Sequence, residues 1–262
     1  MLWGRVLSDR RHDPDEDLCW RVEEACLNAW PSPRQIILNG WMLRASGGPT
    51  RRTDSVNPLR WGSRDPAEVL AAADAIYSAL GQPTLFRVPT IAAGMEEALK
   101  GLGFAGPEAQ TLTLLCDFAP PAAYQAGPAI SASRHANRAW LEARHTFTEA
   151  DAVGRRTYDA MIASLLGQTR FSAAIEGEAI ASVAYGVVQS GLLVIESVAT
   201  RPSARGRGLA TAVAGDLLEW GRSVGAKAAC LQAVAANAQA ISVYQRLGFT
   251  RELYRYHYRR RA

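Results

Sequence analysis

"SARGRGLATA" (residues 203–212) interleaves two arginines with two glycines, then runs without a break into small and apolar residues. What surrounds this loop gives it meaning. Upstream, "TRFSAAI" (169–175) turns at Glu176-Gly177 into "EAIASVAYGVV" (178–188), and "QSG" (189–191) turns that run into "LLVIESVAT" (192–200). Short β-rich runs separated by glycine-containing turns predict a meander of hairpins. Pro202 ends the last strand. Downstream, Val213, Leu217 and Trp220 recur at helical spacing, which predicts a helix from 209 to about 223. The order is strand, Arg/Gly loop, helix N-terminus.

That order has a physical use. The first four N–H groups of a helix lack partners, and the helix dipole places partial positive charge there. Glycines let successive amides approach an anion closely, while Arg205 and Arg207 add full charge. Together they predict a pyrophosphate cradle rather than a solvated basic turn. The Walker pattern GxxxxGK[ST] is absent, and the dinucleotide pattern GxGxxG fails because Thr211 holds the third glycine position. The loop does match Arg-x-x-Gly-x-Gly/Ala through Arg205, Gly208 and Ala210. Beyond the helix, "GAKAACLQAVAAN" (225–237) reads as a buried strand, with Asn237 as the N-cap of a helix "AQAISVYQRLGF" that stops at Gly248. "ELYRYHYRR" reads as returning strands.

"VATRPSARGRGLATAV" followed by "NAQAISVYQRLGF" resembles the GNAT superfamily of acetyl-CoA-dependent N-acetyltransferases, with both motifs in the family's order and spacing. The resemblance spans about residues 129–258 and is sharpest from 194 to 249. It implies that Val198, Ala199 and Thr200 lie on a splayed strand whose backbone bonds the pantetheine arm. It places the pyrophosphate on the amides of Arg205, Gly206, Arg207, Gly208, Leu209, Ala210 and Thr211, and gives Asn237 a contact with the cofactor arm. Acetyl-CoA is then the co-substrate, the acceptor is a primary amine, and transfer proceeds by direct attack in a ternary complex.

Amine attack on a thioester needs a neutral amine, a stabilised carbonyl oxygen and a protonated leaving sulfur. A backbone amide of the splayed strand can polarise the carbonyl. The resemblance makes Tyr244 the acid that protonates the thiolate. Glu196 shares the strand face of Val198 and reads equally as a base acting through water or as a salt-bridged structural carboxylate. The acceptor pocket is expected near "ARHTFTE" (143–149), the final strands and the first half of the chain.

The first half carries an echo. "GMEEALKGLGF" (94–104) parallels "AISVYQRLGF" (240–249), and "DSVNPL" (54–59) parallels "ESVATR" (196–201), at nearly equal separations of 145 and 142 residues. A duplicated domain is expected, with the chemistry lost from the first copy. There Pro66 falls where Gly208 supplies an amide, Asp65 brings negative charge, and Leu99 replaces Tyr244. The fold class expected is α/β (α+β): two GNAT-like domains, each a mixed, mostly antiparallel twisted sheet with flanking helices. Residues 1–120 form a degenerate domain, 121–128 a linker and 129–262 the acetyl-CoA-binding domain. Within the first, Trp41, Arg44, Arg51 and Arg52 either line a cleft between the halves or are ordinary strand and surface residues.

Composition sets the outer bounds. The 262 residues are 48% hydrophobic and 21% charged, with a net charge of +4, which fits a globular protein and is too weak to argue for nucleic acid. Alternating Tyr254, Tyr256 and Tyr258 with Arg255, His257 and Arg259 raise a single-strand-binding alternative, but an aromatic face turned to the core explains the pattern as well. The four cysteines and four histidines show no metal-site spacing, so no metal is expected. Neither a signal peptide nor an apolar run long enough for a membrane span is evident, and a cytoplasmic enzyme is expected. The remaining rival is an acyl-CoA-binding regulatory module without turnover. Oligomeric state is open.

Overall fold

The computed structural model describes residues 14–118 and 127–261. The expected linker at 121–128 falls outside them except for its last two residues. The first half contains α1 (Pro14–Ala29), β1 (Gln35–Leu38), β2 (Trp41–Arg44), β3 (Val56–Pro58), α2 (Ala67–Ala79), β4 (Leu85–Pro89), α3 (Met95–Gly101) and β5 (Glu108–Asp117). The second contains β6 (Ala129–Ser133), α4 (Arg138–Phe147), α5 (Ala152–Ala163), β7 (Gln168–Glu176), β8 (Ala179–Gln189), β9 (Leu192–Thr200), α6 (Leu209–Ser223), β10 (Ala228–Val234), α7 (Ala238–Arg246) and β11 (Arg251–Arg260).

The echo in the sequence is an echo in topology. Strand, helix, strand, helix, strand recurs as β3-α2-β4-α3-β5 and as β9-α6-β10-α7-β11. In each copy the first two strands pair parallel, Val56 with Phe86 and Leu192–Val194 with Ala228–Cys230. Gly103 and Gly248 both close their helices at positive φ (79° and 95°), and the following Phe104 and Phe249 are both buried. The α/β architecture of two similar halves is therefore present, and the halves share one sheet. Its order is β1-β2-β3-β4-β11-β5-β10-β9-β8-β7-β6, so each copy's last strand inserts beside the other copy's penultimate one.

The exchange is sealed by burial. Tyr254, Tyr256 and Tyr258 of β11 are all buried, so the aromatic face is core and is not available for base stacking. Glu23 of α1 and Arg87 of β4 form a fully buried ion pair, and the Tyr254 hydroxyl donates to Glu23 at 2.6 Å. Such a pair costs desolvation and is retained only with its other hydrogen bonds made. On one sheet face α1, α4 (through Trp140) and α5 cover Phe171, Tyr185 and Val194; on the other, Leu209, Val213 and Leu217 of α6 pack on Leu193 and Ile195.

Two readings shift in detail. The strand expected over 225–237 is paired only over Ala228–Val234, because Gly225 turns with φ 90° and Asn237 caps the next helix. Trp41 and Arg44 are core residues. Arg44 donates to Leu27 and Trp30 carbonyls at 2.7 and 3.0 Å, and Tyr185 donates to that of Ala29 at 2.7 Å. These bonds satisfy the carbonyl end of α1, which has no basic residue in its own last turn, and so fix Trp30 in place.

Candidate active site

The site begins where two parallel strands part. β9 and β10 are paired only as far as Val194–Cys230. Past that point β10 continues along β5, while β9 continues along β8 to Thr200. A bulge marks the divergence. The β8–β9 register shifts between Tyr185–Glu196 and Val183–Ala199, and Ser197 sits at φ 55°. An L-residue other than glycine pays about 1–2 kcal/mol for that conformation. The hydroxyl of Tyr158 holds it, 2.7 Å from Ser197 Oγ.

The opening is a cleft of about 540 Å³. Its walls include Val198, Ala199 and Thr200 on one side, Arg205, Gly206, Gly208, Leu209, Ala210 and Thr211 at one end, and Asn237 and Tyr244 from α7. Gly206 and Gly208 have φ of 76° and 77°, and a Cβ on either would meet nothing within 4 Å, so the loop needs glycine for conformation and not for space. The α6 ladder starts with Ala212 N–H on Gly208 O, which leaves the amides of residues 206–211 to meet an anion, whereas the Arg205 N–H donates to Pro202 O at 3.4 Å. Arg207 alone of the expected loop residues turns away, to Glu176 at 2.7 Å; Arg201 shares that carboxylate at 3.1 Å.

On α7, Asn237 Oδ1 accepts from Ala240 N–H at 3.0 Å, which makes it the helix cap expected. Tyr244 is half-buried, its ring edge-on to Phe249 at 6.2 Å. Burial, aided by the charge of Glu196, pushes its hydroxyl up to about 12.

Glu196 lies in an adjoining cavity of about 230 Å³ that shares Val198, Ala199, Asn237 and Tyr244 with the cleft. It is buried, and Arg52 of the first half grips both its oxygens at 2.7 and 3.0 Å. Arg52 lies over the Trp30 ring at 4.1 Å and donates to Gln232 Oε1 at 3.2 Å. Of the four residues in the first-half tract, Arg52 thus reaches the site, while Arg51 pairs with Glu108. A third cavity of about 330 Å³ continues the second through Trp30, Arg144 and Thr148, towards Thr50, Tyr158 and Met161. The stretch 143–149 supplies Arg144, Thr148 and Glu149, in the region expected.

Trp30, Tyr158 and Ser197 were not legible in advance, since an apolar helix end, a helical tyrosine and a strand serine carry no signal of their own. Among the described residues the first half has no equivalent loop. Asp65 Oδ1 caps Ala67 N–H at 3.0 Å, Leu99 is buried, and Gly62 lies so close to Gly40 that a Cβ on it would meet backbone at 2.2 Å.

A family model described as "Probable histone acetyltransferase Rv0428c C-terminal" matches residues 20–261. The "Uncharacterized N-acetyltransferase YobR" of Bacillus subtilis (strain 168) is 23% identical over 244 residues, covering 91% of this chain and 97% of its own. Among solved structures, a GCN5-related N-acetyltransferase from Kribbella flavida shares the fold with a TM-score of 0.66 at 16% identity, covering 93% of this chain and 95% of its own. A tandem GNAT protein from the clavulanic acid biosynthesis pathway does so with a TM-score of 0.62 at 14% identity, covering 92% and 87%. The chain belongs to the family of that acetyltransferase C-terminal region, and with it to the GNAT superfamily of acyltransferases, in tandem form.

Proposed function

We propose that the protein moves an acetyl group from acetyl-CoA to a primary amine by direct attack in a ternary complex. The observation that carries the reading is the parting of β9 from β10 after Val194, with the αL-glycine loop at one end of the opening and Tyr244 in its wall. A bound thioester would supply the activated acetyl group. The loop amides of residues 206–211 hold the pyrophosphate, and the backbone of Val198, Ala199 and Thr200 holds the pantetheine arm. An amide beside the Ser197 bulge stabilises charge developing on the carbonyl oxygen. Arg205 adds charge to the cradle, while Arg207 acts through its pair with Glu176.

Tyr244 keeps its proton at working pH, because burial holds it near 12. A thiol ordinarily titrates well below such a tyrosine, so complete proton transfer to a free thiolate is uphill. We therefore read Tyr244 as a hydrogen-bond donor to the sulfur that releases its proton only as charge develops in the same dry pocket. Glu196 is a proton acceptor through water only with the lone pairs that Arg52 leaves it. The first half, residues 1–120, serves as support, contributing Trp30 and Arg52 to the acceptor side. The four cysteines, all buried and free, suit a reducing compartment, and no helix among the described residues is long and apolar enough to cross a membrane. Release of free thiol from acetyl-CoA, dependent on an added amine, tests the reading. Tight CoA binding with no thiol release from any amine would favour the silent binding module.

A further inference from the structure

We propose that the acceptor is an amino acid, an amine with a carboxylate close by, and that Arg144 on α4 receives the carboxylate. The identity of the reaction rests on the acetyl-transfer reading; recognition of the carboxylate does not.

Arg144 borders both cavities on the acceptor side, the one that holds Glu196 and Tyr244 and the larger one beyond it. Its guanidinium lies over the Tyr158 ring, with the central carbon 3.6 Å from the ring centroid, which holds it in place. Among the described residues no carboxylate lies within 4.0 Å of its nitrogens. The other arginines of the interior are provided for. Arg52, Arg87 and Arg259 are each paired with a carboxylate, and Arg44 is held by backbone carbonyls. Asp159, the acid on the facing helix, is occupied by His145 at 2.8 Å. Burial consequently depresses the pKa of Arg144, with Tyr158 opposing. A half-buried fork of N–H donors held over a ring face is pre-organised for a bidentate carboxylate.

The placement also orients the rest of the ligand. With its carboxylate on Arg144, the amine of an α-amino acid turns into the smaller cavity towards Glu196 and Tyr244. Its side chain enters the larger one, among Trp30, Pro49, Tyr158 and Met161. Exposed Glu149 and Asp151 at that cavity disfavour acidic side chains. The wall of Trp30, Pro49, Tyr158 and Met161 fits an amino acid with an apolar or aromatic side chain.

The test is binding of phenylalanine, leucine and methionine, against their amides and decarboxylated amines, by calorimetry with and without CoA. The acids should bind at least tenfold more tightly than the amides. Arg144→Gln should weaken the acids by about 10- to 100-fold and abolish the discrimination, with Arg144→Lys in between. CoA affinity and melting temperature serve as fold controls, and the wild-type comparison stands should Arg144→Gln fail to fold. Equal binding of acids and amides, discrimination that survives Arg144→Gln, or no binding of any acid would overturn the proposal. Failure to bind CoA would overturn the transfer reading separately, since acid-over-amide discrimination is measured without it.

Discussion

Arg52 and Glu196 stand 144 residues apart in the chain, yet form a two-pronged ion pair of 2.7 and 3.0 Å that ties the first half to the strand lining the cleft. Their side chains are 19% and 4% exposed. Burial opposes the charge on Arg52, but Glu196 outweighs it and raises the guanidinium pKa further. Removing one partner of so buried a pair strands the other. Arg52→Met should therefore destabilise the fold by about 3–5 kcal/mol, and Arg52→Met/Glu196→Gln should recover most of the loss, as read from denaturant unfolding. Simple additivity of the two single changes would show that the pair carries no coupling.

Tyr244→Phe removes one hydroxyl and keeps the ring against Phe249. It should lower kcat by about 10²–10³-fold and leave KM for acetyl-CoA nearly unchanged, because the hydroxyl acts as the sulfur departs. With a pKa near 12, wild-type Tyr244 should add no descending limb to the pH–rate profile below about pH 11. Full activity in the phenylalanine variant would transfer the proton's route to water.

Glu96 on α3 anchors β11, accepting from Arg259 Nε at 2.9 Å and meeting His257 Nε2 at 2.8 Å. Arg259 first, and then His257, hold its carboxyl near 2 against the opposing effect of burial. A depressed carboxyl contributes stability above its unfolded pKa and loses it as pH falls through the folded one. The melting-temperature gap between wild type and Glu96→Gln should be widest above about pH 5 and close towards pH 2. A gap independent of pH would assign Glu96 a packing role only.

How much of this could be read beforehand follows from what sequence patterns encode. The β7–β8–β9 meander, the glycine loop, the Asn237 cap and the Gly248 stop are local, and each depends on residues within a turn or two. Pro66 and Asp65 marked the lost cradle for the same reason. Partner choice between distant edges is not local. Alternation along "ELYRYHYRR" shows which face is buried, not that β11 lies between β4 and β5. Glu196 reads from the sequence as a base or a salt-bridged carboxylate and Arg52 as a cleft or surface residue; that each is the other's partner is shown only by the fold. Ser197 carries no signal for positive φ, since that conformation is imposed by the parting strands and by Tyr158.

On the proposed reading the Gly206–Thr211 turn is the anion cradle of a single acetyl-CoA site. Calorimetric titration of CoA into wild type, Gly208→Asp and Gly208→Asn tests it most directly. Both variants impose the same strain at φ 77°, and neither side chain meets an obstacle within 4 Å at its Cβ, so they differ chiefly in charge. Wild type should bind CoA at one site per chain, with a modest loss of affinity in Gly208→Asn and a further loss of at least about tenfold in Gly208→Asp. Two equal sites per chain, or equal affinities in the two variants, would contradict it.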